Sequence, residues 1–328
     1  MDTDSVNIRT IYDIYCWTQC GSINSIEIEN VLSDETKNSA KTVLREEMQR
    51  VSKKQELDLS AVSAVVNRIM DEMLSNRIEV LNVKDIRLEE EKTFAHSLSV
   101  CMLSIALASK LSLPVAKIKS IAMGAFLHDI GKAYLPSGIV HKYENLSKDE
   151  ELEMRKHPLL GYNLIKDARD ASATTKVTIL MHHEHINGSG YPMALTGDKI
   201  HYSAKIVTIC DEFDISINDS KLKHVLQTTD AVEYLIGASG HVFDKSFVDE
   251  FIKIIPIYPE GTIVLLSNGC LAIVVKNNPI NMTRPVVRAF YNTKTKTKLN
   301  QTNIIDLREE LSIKILREMQ VNVREIMR

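Results

Sequence analysis

Hydrophobic residues recur at helical spacing over most of the chain. Between Asp34 and Asn82, apolar residues return every three or four positions within a charge-rich sequence, as a helix with one buried stripe requires. The same period continues from Val83 to Ile255, with breaks at prolines and glycines. The residues before Asp34 are weakly patterned and predict no element. The pattern therefore predicts a mainly helical protein.

The pattern changes from helical to β-type after Ile255. Two runs rich in apolar and β-branched residues, 262–266 and 270–276, flank the pair Asn268 and Gly269. Asn-Gly between apolar runs is the strongest short signal for a hairpin. Residues 285–291 supply a third strand, so we expect a small sheet near the C-terminus.

The same tail carries a helix-start signal, which completes the predicted architecture. Asp306 with Glu309 resembles a capping box, so the sequence predicts a final helix after the small sheet. We therefore expect three regions. Residues 1–82 form an N-terminal helical extension, regulatory or dimerising and hence a candidate homodimer surface. Residues 83–255 form the main helical domain, and residues 256–328 form the β-sheet plus helix.

Composition and charge exclude several classes of function. The 328 residues are 44% hydrophobic and 25% charged, as in ordinary globular proteins. Lys and Arg total 40 and Asp and Glu total 43, and this net charge of −3 is too balanced for electrostatic capture by DNA or an anionic membrane. No apolar run approaches the roughly 20 residues of a membrane helix. We expect a cytoplasmic protein with no membrane insertion. Any nucleotide substrate must be held by a local site, because the net charge of the chain does not attract it.

Several histidines lie where helical packing would bury them. Taken singly, an inward histidine is more often a satisfied core residue than a ligand. Several of them together with carboxylates are different, because burying unpaired charges costs several kcal/mol. A metal cluster removes that cost. The inward set comprises His96, His128, His157, His182 and His183 with Asp129 and Asp211.

The residue types in this set indicate which metals fit. Imidazoles with carboxylates suit first-row metals such as Fe, Mn, Ni or Zn. No cysteine belongs to the set, which argues against a closed structural zinc site. The sequence therefore predicts a metal centre of histidines and carboxylates.

Five segments carry a family resemblance. The chain is similar to the HD-GYP phosphohydrolases over roughly residues 86–255, about half of its length. The motifs, in chain order, are EKTFAHSLSV, FLHDIGK, RKHPLLGYNLI, HHEHINGSGYP and KIVTICDEFD. Each is short, but all of them in the family's order make the resemblance specific.

The resemblance implies a helical HD-domain bundle with a binuclear metal site. It implies hydrolysis of cyclic di-GMP to linear pGpG, with GMP as an open second product, by a metal-bridging hydroxide. It implies two divalent transition-metal ions, iron or manganese first, with nickel or zinc as alternatives. The implied ligands are His96, His128, Asp129 and Asp211 for one ion and Asp129, His157, His182 and His183 for the other.

Further roles are expected around this site. Asp129, as the bridging ligand, and Lys132, as a donor to a phosphate oxygen, form the expected catalytic pair. Glu184 and Asp214 are expected to orient ligands without binding metal. The residues expected to contact substrate are Gly188, Gly190, Tyr191, Pro192 and Lys223.

Departures from the family pattern keep alternatives open. Asn187 stands where the family usually has aspartate, and residues 220–222 replace an Arg-Pro-Tyr stretch that helps bind substrate, with Lys223 as partial compensation. Another cyclic dinucleotide, such as cyclic GMP-AMP, therefore stays open as the substrate, as does a low-turnover binding role. Lys92 takes the place of a glutamate that helps some members hold a third metal, so we expect two ions.

Overall fold

The computed structural model describes residues 31–75, 92–140, 142, 146–218, 226–278, 280–299 and 303–319, without the side chains of residues 92 and 93. The chain divides into two compact units. One runs from Val31 to Ile255 and is helical, and the other includes the described residues from Pro256 onward and is built on a sheet.

The helical unit contains most of the regular structure. Its helices are α1 (Asp34–Ser52), α2 (Leu59–Ser75), α3 (Lys92–Lys110), α4 (Val115–Phe126), α5 (Ser137–Val140), α6 (Lys148–Met154), α7 (His157–Ile165), α8 (Ala173–Met181), α9 (Tyr202–Asn218), α10 (Thr228–Ala238) and α11 (Lys245–Phe251). Short 3-10 turns lie at Ile130–Tyr134 and Gly197–Lys199.

Helices α1 and α2 pack on each other and belong to the same compact unit as the other helices. Ser33 caps α1 by accepting a hydrogen bond from the Thr36 N–H, as side chains before a helix commonly do. Glu72 of α2 joins the pair, because the Thr36 hydroxyl donates to its Oε1 at 2.6 Å. Both helices bury one apolar stripe, as the sequence period predicts.

The core of the unit lies where α3, α4 and α9 meet. Helix α3 packs against α4 and α9, and α4 also packs against α8. Leu103 and Leu107 of α3, Ile121 of α4 and Ile209 of α9 are fully or almost fully buried. These helices carry the histidines and aspartates of the candidate site, so apolar packing fixes their positions.

A glycine sets the spacing between the 3-10 turn and α7. A Cβ atom on Gly131 would lie 2.0 Å from the carbonyl oxygen of His157 and 2.6 Å from the amide nitrogen of Gly161. Only a residue without a side chain permits this backbone approach. The turn that follows Asp129 is thereby held directly against the start of α7.

The second unit is an antiparallel sheet. Its strands are β1 (Ile263–Leu266), β2 (Cys270–Lys276), β3 (Val286–Asn292), β4 (Thr297–Lys298), β5 (Ile304–Asp306) and β6 (Ile315–Glu318). The strand order is β4-β3-β2-β1-β6, with β5 also paired to β3. Gly269, with φ of +87°, makes the turn between β1 and β2, which confirms the predicted hairpin.

The predicted terminal helix is wrong. Asp306 ends strand β5 instead of capping a helix, and Ile315 lies in β6 opposite Leu266 of β1. The Asp306 carboxylate still accepts a backbone hydrogen bond two residues on, from Arg308, at 2.9 Å. This turn uses the same side-chain chemistry as a helix cap, and the free edge of β1 then pairs with the following residues.

The remaining fold prediction, a mainly helical bundle with a small C-terminal sheet, is confirmed. Among the described residues, no helix combines the length and apolar character needed to cross a membrane.

Candidate metal centre

Five segments bring the predicted ligands together. His96 lies in the first turns of α3, and His128 and Asp129 directly follow α4. His157 is the first residue of α7, His182 and His183 directly follow α8, and Asp211 lies in α9. Helix ends place side chains close together while the helix bodies pack in the core. The ligand types that the sequence singled out thus meet in one buried region.

One cluster of ligand atoms contains His96, His128 and Asp129. The Nε2 atoms of the two imidazoles are 3.2 Å apart. Asp129 Oδ2 lies 3.5 Å from His128 Nε2 and 3.8 Å from His96 Nε2. Asp211 joins them, with its Oδ1 3.0 Å from His96 Nε2 and 3.8 Å from His128 Nε2.

A second cluster contains His157, His182 and His183. The Nε2 atoms of His157 and His182 are 3.1 Å apart. Asp129 reaches this cluster with its other oxygen, since Oδ1 lies 3.3 Å from His157 Nε2. Asp211 also spans both clusters, because its Oδ2 lies 3.6 Å from His183 Nδ1. Each carboxylate therefore offers one oxygen to each cluster.

Backbone carbonyls fix the orientation of three imidazoles. The Nδ1 atoms of His128, His157 and His182 lie 2.7 to 2.8 Å from a carbonyl oxygen three residues earlier in the chain. A carbonyl only accepts, so each Nδ1 carries the proton and each Nε2 presents a lone pair. The Nε2 atoms of His157 and His182, 3.1 Å apart, then repel each other unless a cation lies between them. This arrangement fits a metal.

The charges of Asp129 and Asp211 also indicate a cation site. Burial raises the pKa of Asp129, but Lys132 and the neighbouring histidines outweigh it and hold that pKa well below the ordinary value. Burial likewise raises the pKa of Asp211, and hydrogen bonding to His96 reverses the shift. Both groups are anionic. Asp129 Oδ1 and Asp211 Oδ2 are buried and accept no hydrogen bond from the described residues, so they are free for a cation.

Three of the imidazoles, those of His157, His182 and His183, supply neutral donors. Burial lowers the pKa of His157 and His182 well below the ordinary value and lowers that of His183 to about 4. Burial also lowers the pKa of His96, but hydrogen bonds to Asp211 and Asp214 raise it to about 10. Neutral imidazoles with anionic carboxylates match a divalent first-row metal. The site has the chemistry of a metal centre.

Lys132 lies directly beside this centre. Its Nζ is 2.5 Å from Asp129 Oδ2, one turn away on the 3-10 segment, and its side chain is 20% exposed. The ammonium therefore neutralises part of the charge on the carboxylate shared by both clusters.

Asp214, which the sequence predicts to orient a ligand, lies within hydrogen-bond distance of His96. Its Oδ2 lies 2.7 Å from His96 Nδ1, and its Oδ1 accepts from the Ser99 hydroxyl and from Asn218 Nδ2, the latter at 2.8 Å. Sequence reasoning missed Ser99 and Asn218. Helical spacing could have indicated both, because Ser99 lies three residues after His96 on α3 and Asn218 lies four residues after Asp214 on α9.

Glu184 acts differently from the prediction that it orients a ligand histidine. Its carboxylate accepts the backbone N–H groups of Met193 and Leu195, both at 2.7 Å. The loop after Tyr191 doubles back, and these two amides need acceptors when the loop folds against the helical unit. Glu184 therefore stabilises the loop. His128, His157 and His182 take their orientation from carbonyls, and His96 takes its orientation from Asp214.

The loop glycines also act within the protein. The sequence predicts that Gly188 and Gly190 let a nucleotide approach. A Cβ on Gly190 would instead lie 2.4 Å from the carbonyl oxygen of His183, and Gly188 has φ of +80°. Both glycines are thus needed to fold the loop onto residues 183–185. Pro192 follows a cis peptide bond in this loop.

Tyr191 lies over the second cluster. Its ring stacks on His183 with centroids 4.6 Å apart and an interplanar angle of 26°. The guanidinium of Arg155, which the sequence did not single out, lies 5.3 Å from the Tyr191 ring centroid. Lys223 lies outside the described residues, as do residues 220–222. The side chain of Lys92 is outside them as well.

Family models match both units of the chain. A model described as an HD domain matches residues 68–247, which is more than half of the chain. A model described as a KOW domain associated with an HD domain matches residues 263–325. The chain belongs to the HD domain family, which confirms the resemblance seen in the motifs.

Two phosphodiesterases are among the relatives to which the chain is similar. A cyclic di-GMP phosphodiesterase of Pseudomonas aeruginosa is 32% identical over 253 residues, which cover 77% of this chain and 61% of that protein. A 3'3'-cGAMP-specific phosphodiesterase of Vibrio cholerae is 29% identical over 204 residues, covering 60% of this chain and 39% of that protein. The chain thus spans less than two thirds of the length of these relatives.

A solved structure confirms the fold. An HDG"Y"P protein of Bdellovibrio bacteriovorus superposes with a TM-score of 0.52 at 19% identity, covering 76% of this chain and 73% of that chain.

Proposed function

We propose that the chain is a metal-dependent phosphodiesterase that hydrolyses cyclic di-GMP to linear pGpG, with cleavage to GMP as a second step to be tested. One observation carries the proposal: Asp129 and Asp211 each extend one oxygen to the first imidazole cluster and the other oxygen to the second. A site of this kind suits two cations side by side. The relative that covers 77% of this chain is a cyclic di-GMP phosphodiesterase.

The metal content is part of this proposal. We propose two divalent ions, iron or manganese first, with nickel or zinc as alternatives. One would be held by His96, His128, Asp129 and Asp211, and the other by Asp129, His157, His182 and His183. When bound, such a pair of ions neutralises phosphate charge and makes a water molecule more acidic.

The chain's own groups complete the chemistry. Lys132 carries three N–H donors, of which one meets Asp129, so the others can donate to a phosphate oxygen as its charge grows. Asp214 and the backbone carbonyls keep the imidazoles oriented throughout. Tyr191 covers His183 and limits water at that side of the site. Substrate contacts of the loop and of Lys223 stay predictions.

A hydrolysis assay tests the proposal. The purified chain, reconstituted with Fe or Mn, is incubated with cyclic di-GMP and the products are separated by chromatography. Asp129→Ala should lose metal from both clusters together with the activity, because one carboxylate serves both. The matched control is Asp170→Ala, an exposed aspartate outside the site. Full turnover and two bound ions in Asp129→Ala would refute the assigned site.

A second substrate is supported by one observation. A 3'3'-cGAMP-specific phosphodiesterase is among the relatives, at 29% identity. The same assay, run with 3'3'-cGAMP in parallel, ranks the two substrates by kcat/KM. Nucleotide that binds but yields no product would instead favour the low-turnover binding role.

The other predicted features stay proposals. We propose that residues 83–255 carry the catalytic domain, that residues 1–82 have a regulatory or dimerising role, and that residues 256–328 form an accessory unit. Light scattering of the whole chain tests the homodimer. A cytoplasmic location is supported by the buried free thiols of Cys101, Cys210 and Cys270, which suit a reducing compartment.

A further inference from the structure

The ring of Tyr191 is held on one face by the candidate metal ligands. It stacks on His183 at 4.6 Å and meets His157 edge-on, with centroids 6.4 Å apart. The Tyr191 N–H also donates to the His183 carbonyl at 3.0 Å, so backbone and ring are fixed together. The ring position thus depends on the same residues that build the second cluster.

Arg155 also lies against this ring. Its guanidinium carbon lies 5.3 Å from the Tyr191 centroid, within the range of a cation–π contact. The imidazole of His183 and the guanidinium of Arg155 thus both lie against the Tyr191 ring. A nucleotide base that stacks on the phenol would compete with these two contacts, whereas an anionic group of the substrate can meet the Arg155 guanidinium directly.

Arg155 retains donors for a ligand. Its side chain is 47% exposed, and within the described part of the chain it hydrogen-bonds to Glu151 alone, through one terminal nitrogen at 2.5 Å. A guanidinium has five N–H donors in a planar fork that matches a phosphate in a bidentate fashion. An exposed ion pair with Glu151 is worth little, so exchanging this partner for a phosphate is inexpensive.

We propose that Arg155 is a substrate-binding residue that holds the non-reacting phosphate of the cyclic dinucleotide, with Tyr191 fixing its guanidinium beside the metal centre. This inference rests on the proposed function. A cyclic dinucleotide has two phosphates, and the metal centre neutralises the one that is cleaved. The other needs a cation nearby, and binding energy from such a remote group can be used to position the reacting bond.

The alternative is that Arg155 only stabilises α6 through Glu151. Two variants separate these roles. Arg155→Ala removes the guanidinium, whereas Glu151→Gln removes the ion pair and keeps Arg155. Arg169→Ala, an exposed arginine in the turn before α8, is the matched control. Arg155→Lys keeps the charge without the planar fork.

The experiment compares two substrates on the metal-loaded chain. Cyclic di-GMP has two phosphates, and bis(4-nitrophenyl) phosphate has one. We expect Arg155→Ala to raise the KM for cyclic di-GMP about 10-fold, the usual effect of losing a charge-assisted hydrogen bond, with a smaller effect on kcat. The loss in kcat/KM should be about 10-fold larger for cyclic di-GMP than for bis(4-nitrophenyl) phosphate. Arg155→Lys should fall in between, and Glu151→Gln and Arg169→Ala should behave like the unaltered chain.

Metal content is measured for every variant, and three outcomes would overturn the inference. An unchanged KM in Arg155→Ala removes the phosphate contact. Equal losses in Arg155→Ala and Glu151→Gln assign Arg155 to helix stability. Equal losses of kcat/KM for cyclic di-GMP and bis(4-nitrophenyl) phosphate in Arg155→Ala would show that Arg155 acts on the metal centre and not on the second phosphate. If the unaltered chain cleaves bis(4-nitrophenyl) phosphate but no cyclic dinucleotide, the proposed function fails and this inference fails with it, a result distinct from the other three.

Discussion

Replacing Gly131 with alanine tests how closely the turn after Asp129 must approach α7. The added Cβ would lie 2.0 Å from the His157 carbonyl oxygen and 2.6 Å from the Gly161 nitrogen. Both neighbours are backbone atoms, so no side chain can rotate away. Restoring a normal separation of about 3.5 Å requires the turn and α7 to move apart by roughly 1.5 Å.

This displacement acts on the metal centre as well as on stability. Asp129 Oδ1 and His157 Nε2 are 3.3 Å apart across the same contact, and the shift would separate them. We expect Gly131→Ala to lower the free energy of unfolding by about 3 kcal/mol, the upper range for overpacking, and the Tm by roughly 5–10 °C. Misplacement by about 1 Å should reduce the rate around 100-fold.

Gly138→Ala is the matched control, because a Cβ there meets nothing within 4 Å. Thermal melting, elemental analysis for bound metal and turnover are measured for both variants. We expect Gly138→Ala to match the unaltered chain in all three. Normal Tm and metal content in Gly131→Ala would show that this backbone contact does not position the site.

Two further substitutions test residues that support the site without being proposed metal ligands: Asp214, which contacts His96, and Glu184, which holds the loop. Asp214→Ala should weaken metal binding about 10- to 100-fold and leave His96 free to rotate, as measured by competition with a chelating dye, whereas an unchanged affinity would assign Asp214 to packing alone. Glu184→Ala should remove the acceptor of two loop amides, at about 2–4 kcal/mol, and expose the loop to proteolysis while most of the bound metal stays. The exposed Glu233→Ala is the control for the second substitution, and loss of all metal in Glu184→Ala would place that carboxylate nearer the ligands than its contacts indicate.

The sequence by itself determined the elements and the identity of the ligand types. Helical spacing indicates amphipathic helices without reference to distant residues, because burial of one stripe is a local pattern. Asn268 and Gly269 indicate the hairpin in the same way, through turn chemistry alone. The grouping of inward histidines with aspartates indicated a metal centre because unpaired buried charge is costly.

Only the tertiary structure decided which group each side chain meets. Glu184 lies one residue after His183, yet its carboxylate meets the amides of a loop that folds back beside it. Asp129 offers its two oxygens to different clusters because the turn at Gly131 packs directly on α7. Neither contact is visible in spacing along one helix, since the first depends on how a loop folds back and the second joins segments 28 residues apart in sequence.

The C-terminal residues show that secondary structure, too, can depend on a partner distant in sequence. Asp306 and Glu309 favour a helix start locally, but Ile315 pairs with Leu266, which precedes it by about fifty residues. Strand preference depends on the partner that a segment finds, whereas helix caps depend on neighbouring residues. The free edge of β1 supplied that partner, and its backbone hydrogen bonds outweighed the local helix signal.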